Sequence, residues 1–249
     1  CKPGIRYCVD GSMASECVGQ VLPATELCDG KDNDCDGETD EGFDTANVDV
    51  VFVIDVSGSF RDEIDRTIYG IAPLLEDDIT RNFRFGLVVI GHLREQETPY
   101  LTGTMRVITD LVPREDFLEH INEAKRIAEG GTSGQEPSWD SIVWVARNDF
   151  GFTFREDANK VIILMTDETG QSFDSPRVNE QETAQIVMSS PFIVHVYNER
   201  AFLTSFDSIT RVPTNFHALE DHPTTEAVFQ SLRRIFLNIC TGEEQASPP

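Results

Sequence analysis

The run Val48-Asp-Val-Val-Phe-Val-Ile-Asp55 constrains the fold more than any other stretch of the chain. It is apolar and mostly β-branched, broken only by Asp49, and it lacks the polar alternation of a strand with one wet face. Such a run is a strand buried on both faces, the mark of a parallel sheet covered by helices on either side. Directly after it, Phe60, Ile64, Ile68, Ile71 and Leu75 recur at helical spacing, with Arg61, Asp62, Glu63 and Asp65 off that face. Further strands are predicted at 83–91, 105–109, 160–167, 192–197 and around 216–219, and helices at 114–128, 137–149, 179–188 and 224–239. Alternating strands and helices specify an α/β class: a doubly wound, mostly parallel sheet flanked by helices.

Cysteine and charge locate a boundary upstream of that strand. Residues 1–44 hold five of the six Cys, and their 11 acidic and 3 basic residues give −8 of the total −24. Few Leu, Ile, Val or Phe lie there, so disulfides, metal or both must staple the segment. We expect a Cys/Asp-rich module at 1–46, the main domain at 47–240 and a linker tail at 241–249. The clustered, even Cys count points to an oxidising, extracytoplasmic setting, secreted or at a cell surface. The tail reads as leading onward within a larger multidomain surface protein. No run approaches the roughly 18 apolar residues of a membrane span, so direct membrane insertion is not expected. The negative charge repels phosphate backbones, which argues against nucleic acid as a partner. What such a chain attracts is cations.

The module ends in Cys28-Asp-Gly-Lys-Asp-Asn-Asp-Cys-Asp-Gly-Glu-Thr-Asp-Glu-Gly-Phe-Asp44. Asp32, Asp34 and Asp36 fall at positions 1, 3 and 5 of a calcium loop, Gly37 at the turn, Glu38 where a backbone carbonyl is required, and Asp40 at position 9. Position 12, a bidentate Glu in an EF-hand, is Phe43, and Asp44 stands one residue later. The stretch resembles the aspartate-rich loops of thrombospondin type 3 repeats, in which such a residue closes the shell. It also resembles the MopE-type metal-binding repeat of bacterial surface proteins. Hard carboxylates favour Ca²⁺ there. The alternative is a solvated acidic loop closed by a Cys28–Cys35 bridge with no ion.

In a doubly wound sheet the ligand crevice lies at the carboxyl ends of the strands. Asp55 ends the first strand and leads into Val-Ser57-Gly-Ser59, and Asp167 ends the run Val161-Ile-Ile-Leu-Met-Thr-Asp167. A third loop, Gly130-Gly-Thr-Ser-Gly-Gln-Glu136, adds more oxygen. Hydroxyls and carboxylates without His or Cys make a hard-cation site suited to Mg²⁺ or Mn²⁺. Asp-x-Ser-x-Ser after a buried strand, a Gly-Gly-Thr loop and a later Thr-Asp, in that order, resemble the metal-ion-dependent adhesion site of von Willebrand factor type A domains. The resemblance spans about residues 47–240. It implies that Asp55, Ser57 and Ser59 form the first ligand loop and that Asp167 reaches the ion directly or through water. In the middle loop Thr132 fits the usual threonine ligand, whereas Gln135-Glu-Pro-Ser-Trp-Asp-Ser-Ile142 is similar to the integrin β variant, in which Glu136 ligates. Asp62 and Glu63 stand where that variant holds an adjacent calcium, or are first-turn acids complementing the helix dipole.

The remaining residues point away from catalysis. His92, His120, His195, His217 and His222 are scattered and read as structural, and no nucleophile elbow, phosphate loop or Cys-x-x-Cys pair is present. Trp139 and Trp144 read as core. The type A resemblance implies a metal-dependent adhesion or protein-binding module whose ion takes an Asp or Glu side chain from a protein ligand, and whose C-terminal helix shifts between affinity states. The alternative is a structural surface or stalk component whose ions only rigidify the fold. A type A domain of an enzyme assembly is more remote.

Overall fold

The chain divides into two compact units, Cys1–Ala46 with Ile235–Pro249, and Asn47–Arg234. The computed structural model describes residues 47–91, 104–129, 136–173, 176–210 and 215–241, and, nearer the N-terminus, 8–9, 12–13, 23 and 34–36. In the first unit β1 (Cys8–Val9) pairs antiparallel with β2 (Ser12–Met13).

The larger unit is built on β3 (Val48–Asp55), β4 (Phe83–Ile90), β5 (Met105–Pro113), β6 (Asn159–Met165), β7 (Phe192–Asn198) and β8 (Phe216–Ala218). These form one sheet in the order β5-β4-β3-β6-β7-β8, parallel throughout except for β5, which runs antiparallel along β4. All eight residues of β3 are buried, as its unbroken apolar run predicts. Asp49 is the one acid inside it, and it is fully buried because Arg84 and Arg155 both donate to its carboxylate, Arg155 at 2.8 Å through Nε and 2.7 Å through its backbone N–H.

Helices α1 (Arg61–Ile71), α2 (Arg114–Glu129), α3 (Ser138–Arg147), α4 (Glu180–Met188) and, through its residues 225–234, α5 (Thr225–Thr241) connect and cover the strands. Alternation divides each strand between two apolar layers. Val51, Val53, Ile162 and Leu164 meet Ile142 and Val145 of α3 and Ala184 and Val187 of α4. Phe52 and Phe85 stack against Phe117 of α2 on the other face, with ring centroids 5.3–6.2 Å apart. There α1 lies so close to α5 that a Cβ on Gly70 would stand 2.6 Å from Val228.

Two departures from the predicted elements have an evident local cause. The first helix tightens to 3₁₀ geometry at Ala72–Leu75, where Pro73 has no N–H to continue the α ladder. Strand β5 runs past Thr109 to Pro113 because Asp110, a polar interruption in sequence, accepts hydrogen bonds from the Leu111 and Thr153 N–H groups at 2.7 and 2.9 Å.

Candidate functional site

Strands β3 and β6 are neighbours, and the chain leaves β3 for β4 on one side before returning to β6 on the other. Their carboxyl ends therefore flank the point where strand order reverses, which opens a crevice. Asp55 closes β3 with no solvent exposure. Its Oδ1 accepts the Ser57 N–H and its Oδ2 accepts the Thr166 hydroxyl, both at 2.7 Å. Burial holds this carboxyl above its ordinary range, against the pull of those hydrogen bonds. The Ser57 and Ser59 hydroxyls are 2.8 Å apart, with Ser57 buried and Ser59 exposed. Neither caps α1, whose N-cap position is Phe60 without a side-chain cap bond.

Glu136 is 4% exposed just before α3. Burial first, then repulsion from Asp55, Glu168 and Asp167, pushes its carboxyl up to about 7. Asp167 rises to about 7 for the same reasons, burial first and then Asp55, with Glu168 and Glu63 adding to it. The charged groups acting most on both are all acids. Asp167 Oδ1 is buried and has no hydrogen-bond partner among the described residues. Strand β6 stops at Met165, so Asp167 stands two residues beyond the strand rather than at its last position; the Thr166 N–H still bonds Tyr197 O before the backbone bends away.

The loops carrying Glu136 and Asp167 are stitched together. The Trp139 N–H donates to Gln171 O at 3.0 Å, the Gln171 N–H to Ser138 Oγ at 3.1 Å, and the Phe173 N–H and Ser172 hydroxyl to Asp140 at 2.6 and 2.7 Å. The Trp139 indole packs directly against Gly170, where any Cβ would come within 2.3 Å of the ring, and its Nε1 donates to Ser205 O.

Asp55, Ser57, Ser59, Glu136 and Asp167 thus converge on one sheet edge, and Thr132 lies outside the described residues. Two further residues belong to the constellation: Thr166, which holds Asp55, and Glu168, whose charge acts on Asp55, Glu136 and Asp167. The parallel register that pairs Ile54 with Met165 brings Thr166 beside Asp55 one residue on, and neither that register nor the bend that brings Glu168 near has a signature in the order of residues. Asp62 is exposed in the first turn of α1, and Glu63 pairs with Arg66 at 3.2 Å. Among the described residues no three His, Cys, Asp or Glu side chains converge closely enough to hold a metal by themselves. A cation here needs the serine hydroxyls as well. The donor set fits a hard divalent ion: oxygen only, carboxylates that repel one another, and a buried Asp167 oxygen with no hydrogen-bond partner among the described residues.

In the N-terminal loop Asp34 and Asp36 are exposed, and the Asp36 N–H donates to Asp34 Oδ1 at 3.1 Å around the disulfide-bonded Cys35, which adopts φ 73°. Asp32, Glu38, Asp40 and Asp44 lie outside the described residues. Trp139 and Trp144 pack half-buried on the core. The histidines do not stay scattered: His195, His217 and His222 meet around Tyr197, because parallel pairing sets Tyr197 opposite His217.

No protein-family model matches the sequence, and no curated protein matches it either. Among solved structures it is similar to proximal thread matrix protein 1 from the mussel byssus, with a TM-score of 0.57 and 16% identity over 78% of this chain and 48% of that protein. It is also similar to the pilus adhesin SpaC of Lactobacillus rhamnosus GG in its open conformation, with a TM-score of 0.57 and 14% identity over 79% of this chain and 30% of the adhesin. The chain thus matches about half of the first protein and under a third of the second. At these identities the likeness is one of fold, the mostly parallel six-stranded sheet between helices.

Proposed function

We propose that this chain is a cation-dependent protein-binding module of an extracellular or cell-surface protein, with a type A domain at 47–240. A Mg²⁺ or Mn²⁺ ion at the β3–β6 edge, held by Asp55, Ser57, Ser59 and Asp167 with Thr132 or Glu136, takes an Asp or Glu side chain from a protein partner. The observation that carries this reading is the buried Asp167 oxygen, without a hydrogen-bond partner among the described residues, beside Asp55 and Glu136, three carboxylates whose repulsion a cation or protons relieve. A divalent ion in such a site supplies a positive charge that an incoming carboxylate completes. Two of the fold's solved neighbours, a pilus adhesin and a byssal matrix protein, belong to extracellular settings. The byssal neighbour also keeps a second reading in view, a load-bearing component in which ions stiffen the fold. The N-terminal Asp-rich loop fits a separate Ca²⁺ in either case, and no helix among the described residues is long and apolar enough to cross a membrane.

Calorimetric titration of metal-stripped protein with Mg²⁺ tests the site, on wild type, Asp55→Ala and Asp34→Ala. We expect Asp55→Ala to remove a Mg²⁺ event that Asp34→Ala leaves intact; an identical isotherm for Asp55→Ala overturns the reading. If Mg²⁺ binds, but immobilised acidic peptides and extracellular matrix extracts are retained equally with and without Mg²⁺, the stiffening role replaces the adhesive one.

A further inference from the structure

Away from the carboxylate crevice, three histidines and a tyrosine gather where β7, β8 and α5 meet. Strand β7 carries His195 and Tyr197 two residues apart and so on one face. His195 Nδ1 and His217 Nε2 are 3.1 Å apart, a hydrogen bond that one proton makes and a second would break. The His217 ring stacks on Tyr197 at 4.4 Å and 18°, and His222 stands edge-on to Tyr197 and His217 at 5.4 and 6.1 Å. His222 Nδ1 donates to Ala218 O at 2.8 Å, and the Tyr197 hydroxyl donates to Ser231 Oγ on α5 at 2.8 Å. One aromatic stack therefore ties the sheet's last strand and the start of its last helix to β7.

Its electrostatics are one-sided. His195 is 1% exposed and Tyr197 equally buried. The charged or titratable groups acting on His217 are His195 from β7, His222 from the segment after β8 and Arg234 from α5, all potential cations. The two acids nearest in sequence are engaged with Arg200: Glu220 accepts its backbone N–H and Asp221 pairs with its guanidinium at 2.7 Å. Burial first, then these neighbours, depress His217 to about 2.

We propose that this stack is an acid-sensitive latch, holding β8 and the first turns of α5 on the sheet edge while His217 stays in its stacked, hydrogen-bonded place and releasing them when a proton enters there. An exposed imidazole takes a proton near pH 6.5, so His217, held neutral in the closed latch, favours the open form roughly tenfold per pH unit below that value. The device is separate from the ion site and stands whether or not a cation binds there.

Hydrogen exchange on the full chain at pH 7.5 and 5.0, corrected for intrinsic rates, tests it on wild type and His217→Gln. In wild type the amides of β8 and of residues 225–234 should open about 30-fold more at pH 5.0, while those of β4 hold. His217→Gln should lose most of that response. Equal protection at both pH values in wild type, or a full acid response retained by the variant, overturns the latch. Should the variant fail to fold, imidazole ¹⁵N shifts of the wild type decide: a His217 that titrates near 6.5 with β8 still protected rules the latch out, and one that stays neutral until β8 opens supports it.

Discussion

A carboxyl group that protonates near pH 7 is a weak anion by itself and a strong ligand once a cation displaces its proton. Glu136 and Asp167 are both in that position, each pushed up to about 7. Between pH 4 and 7 the cation-free folded chain holds protons at these groups that the unfolded chain, with ordinary carboxylates, does not. Their contribution therefore favours the cation-free fold at acid pH and is lost as pH rises through 7. A divalent cation bound at the proposed site would reverse the balance by binding the deprotonated form. Mg²⁺ titrations at pH 6.5 in two buffers of different ionisation enthalpy should accordingly reveal net proton release, and affinity should rise from pH 6 to 8; heats independent of buffer would contradict this. Thr166 matters at the same scale, because its hydroxyl orients Asp55 at 2.7 Å. Removing a partner that orients a ligand typically weakens metal binding about 10–100-fold, which is the loss expected in Mg²⁺ affinity for Thr166→Val by calorimetry.

At the scale of elements, the placement of Glu136 relative to Asp167, on which the proposed ion site rests, depends on how α3 sits against the loop after β6. Gly170→Ala places a methyl within 2.3 Å of the Trp139 indole, and the overpacking should cost about 1–3 kcal/mol in urea unfolding. The natural control is α4, which opens with a reciprocal capping box between Asn179 and Glu182, each bond 3.0 Å. Asn179→Ala should cost about 1 kcal/mol, a loss of similar size. The two variants should separate in cation affinity. Gly170→Ala moves the seam joining Glu136 to Asp167 and weakens Mg²⁺ binding, and Asn179→Ala leaves it within a factor of two or so. Equal affinities in the two variants would mean that the seam does not set the site.

For the molecule as a whole the governing quantity is its charge of −24. Like charges spread over one chain disfavour the compact state, and salt screens them, the Debye length falling from about 30 Å at 0.01 M to about 10 Å at 0.1 M. The melting temperature of the cation-free protein should rise when NaCl is raised from 10 to 300 mM. A few millimolar Mg²⁺ should raise it further at constant ionic strength in wild type and much less in Asp55→Ala. A melting temperature that follows ionic strength alone, with Mg²⁺ and NaCl interchangeable, would show general screening without a specific site. Acid acts in opposite directions at the two ends of this scale, relieving the carboxylate crevice and loading the histidine stack, so site-resolved measurements are needed to see either.

Periodicity was enough to locate the strands and helices of the larger unit, because burial on one stripe or on both faces leaves its pattern in the order of the residues. The run at Val48–Asp55 foretold a central parallel strand, and the Asp-x-Ser-x-Ser and Thr-Asp motifs stand at or just past the carboxyl ends of two neighbouring strands, Asp55 at the last position of β3 and Asp167 two residues beyond β6. Less was legible where a property arises between residues far apart in sequence. The antiparallel course of β5, the fit of Trp139 onto Gly170, the approach of Glu168 and the meeting of three histidines each depend on the pairing register or on a loop's bend. The same is true of the raised carboxyls, because a carboxylate's proton affinity is set by what surrounds it. Glu136 becomes an unusual acid only once folding has taken away its water and set Asp55 and Asp167 beside it.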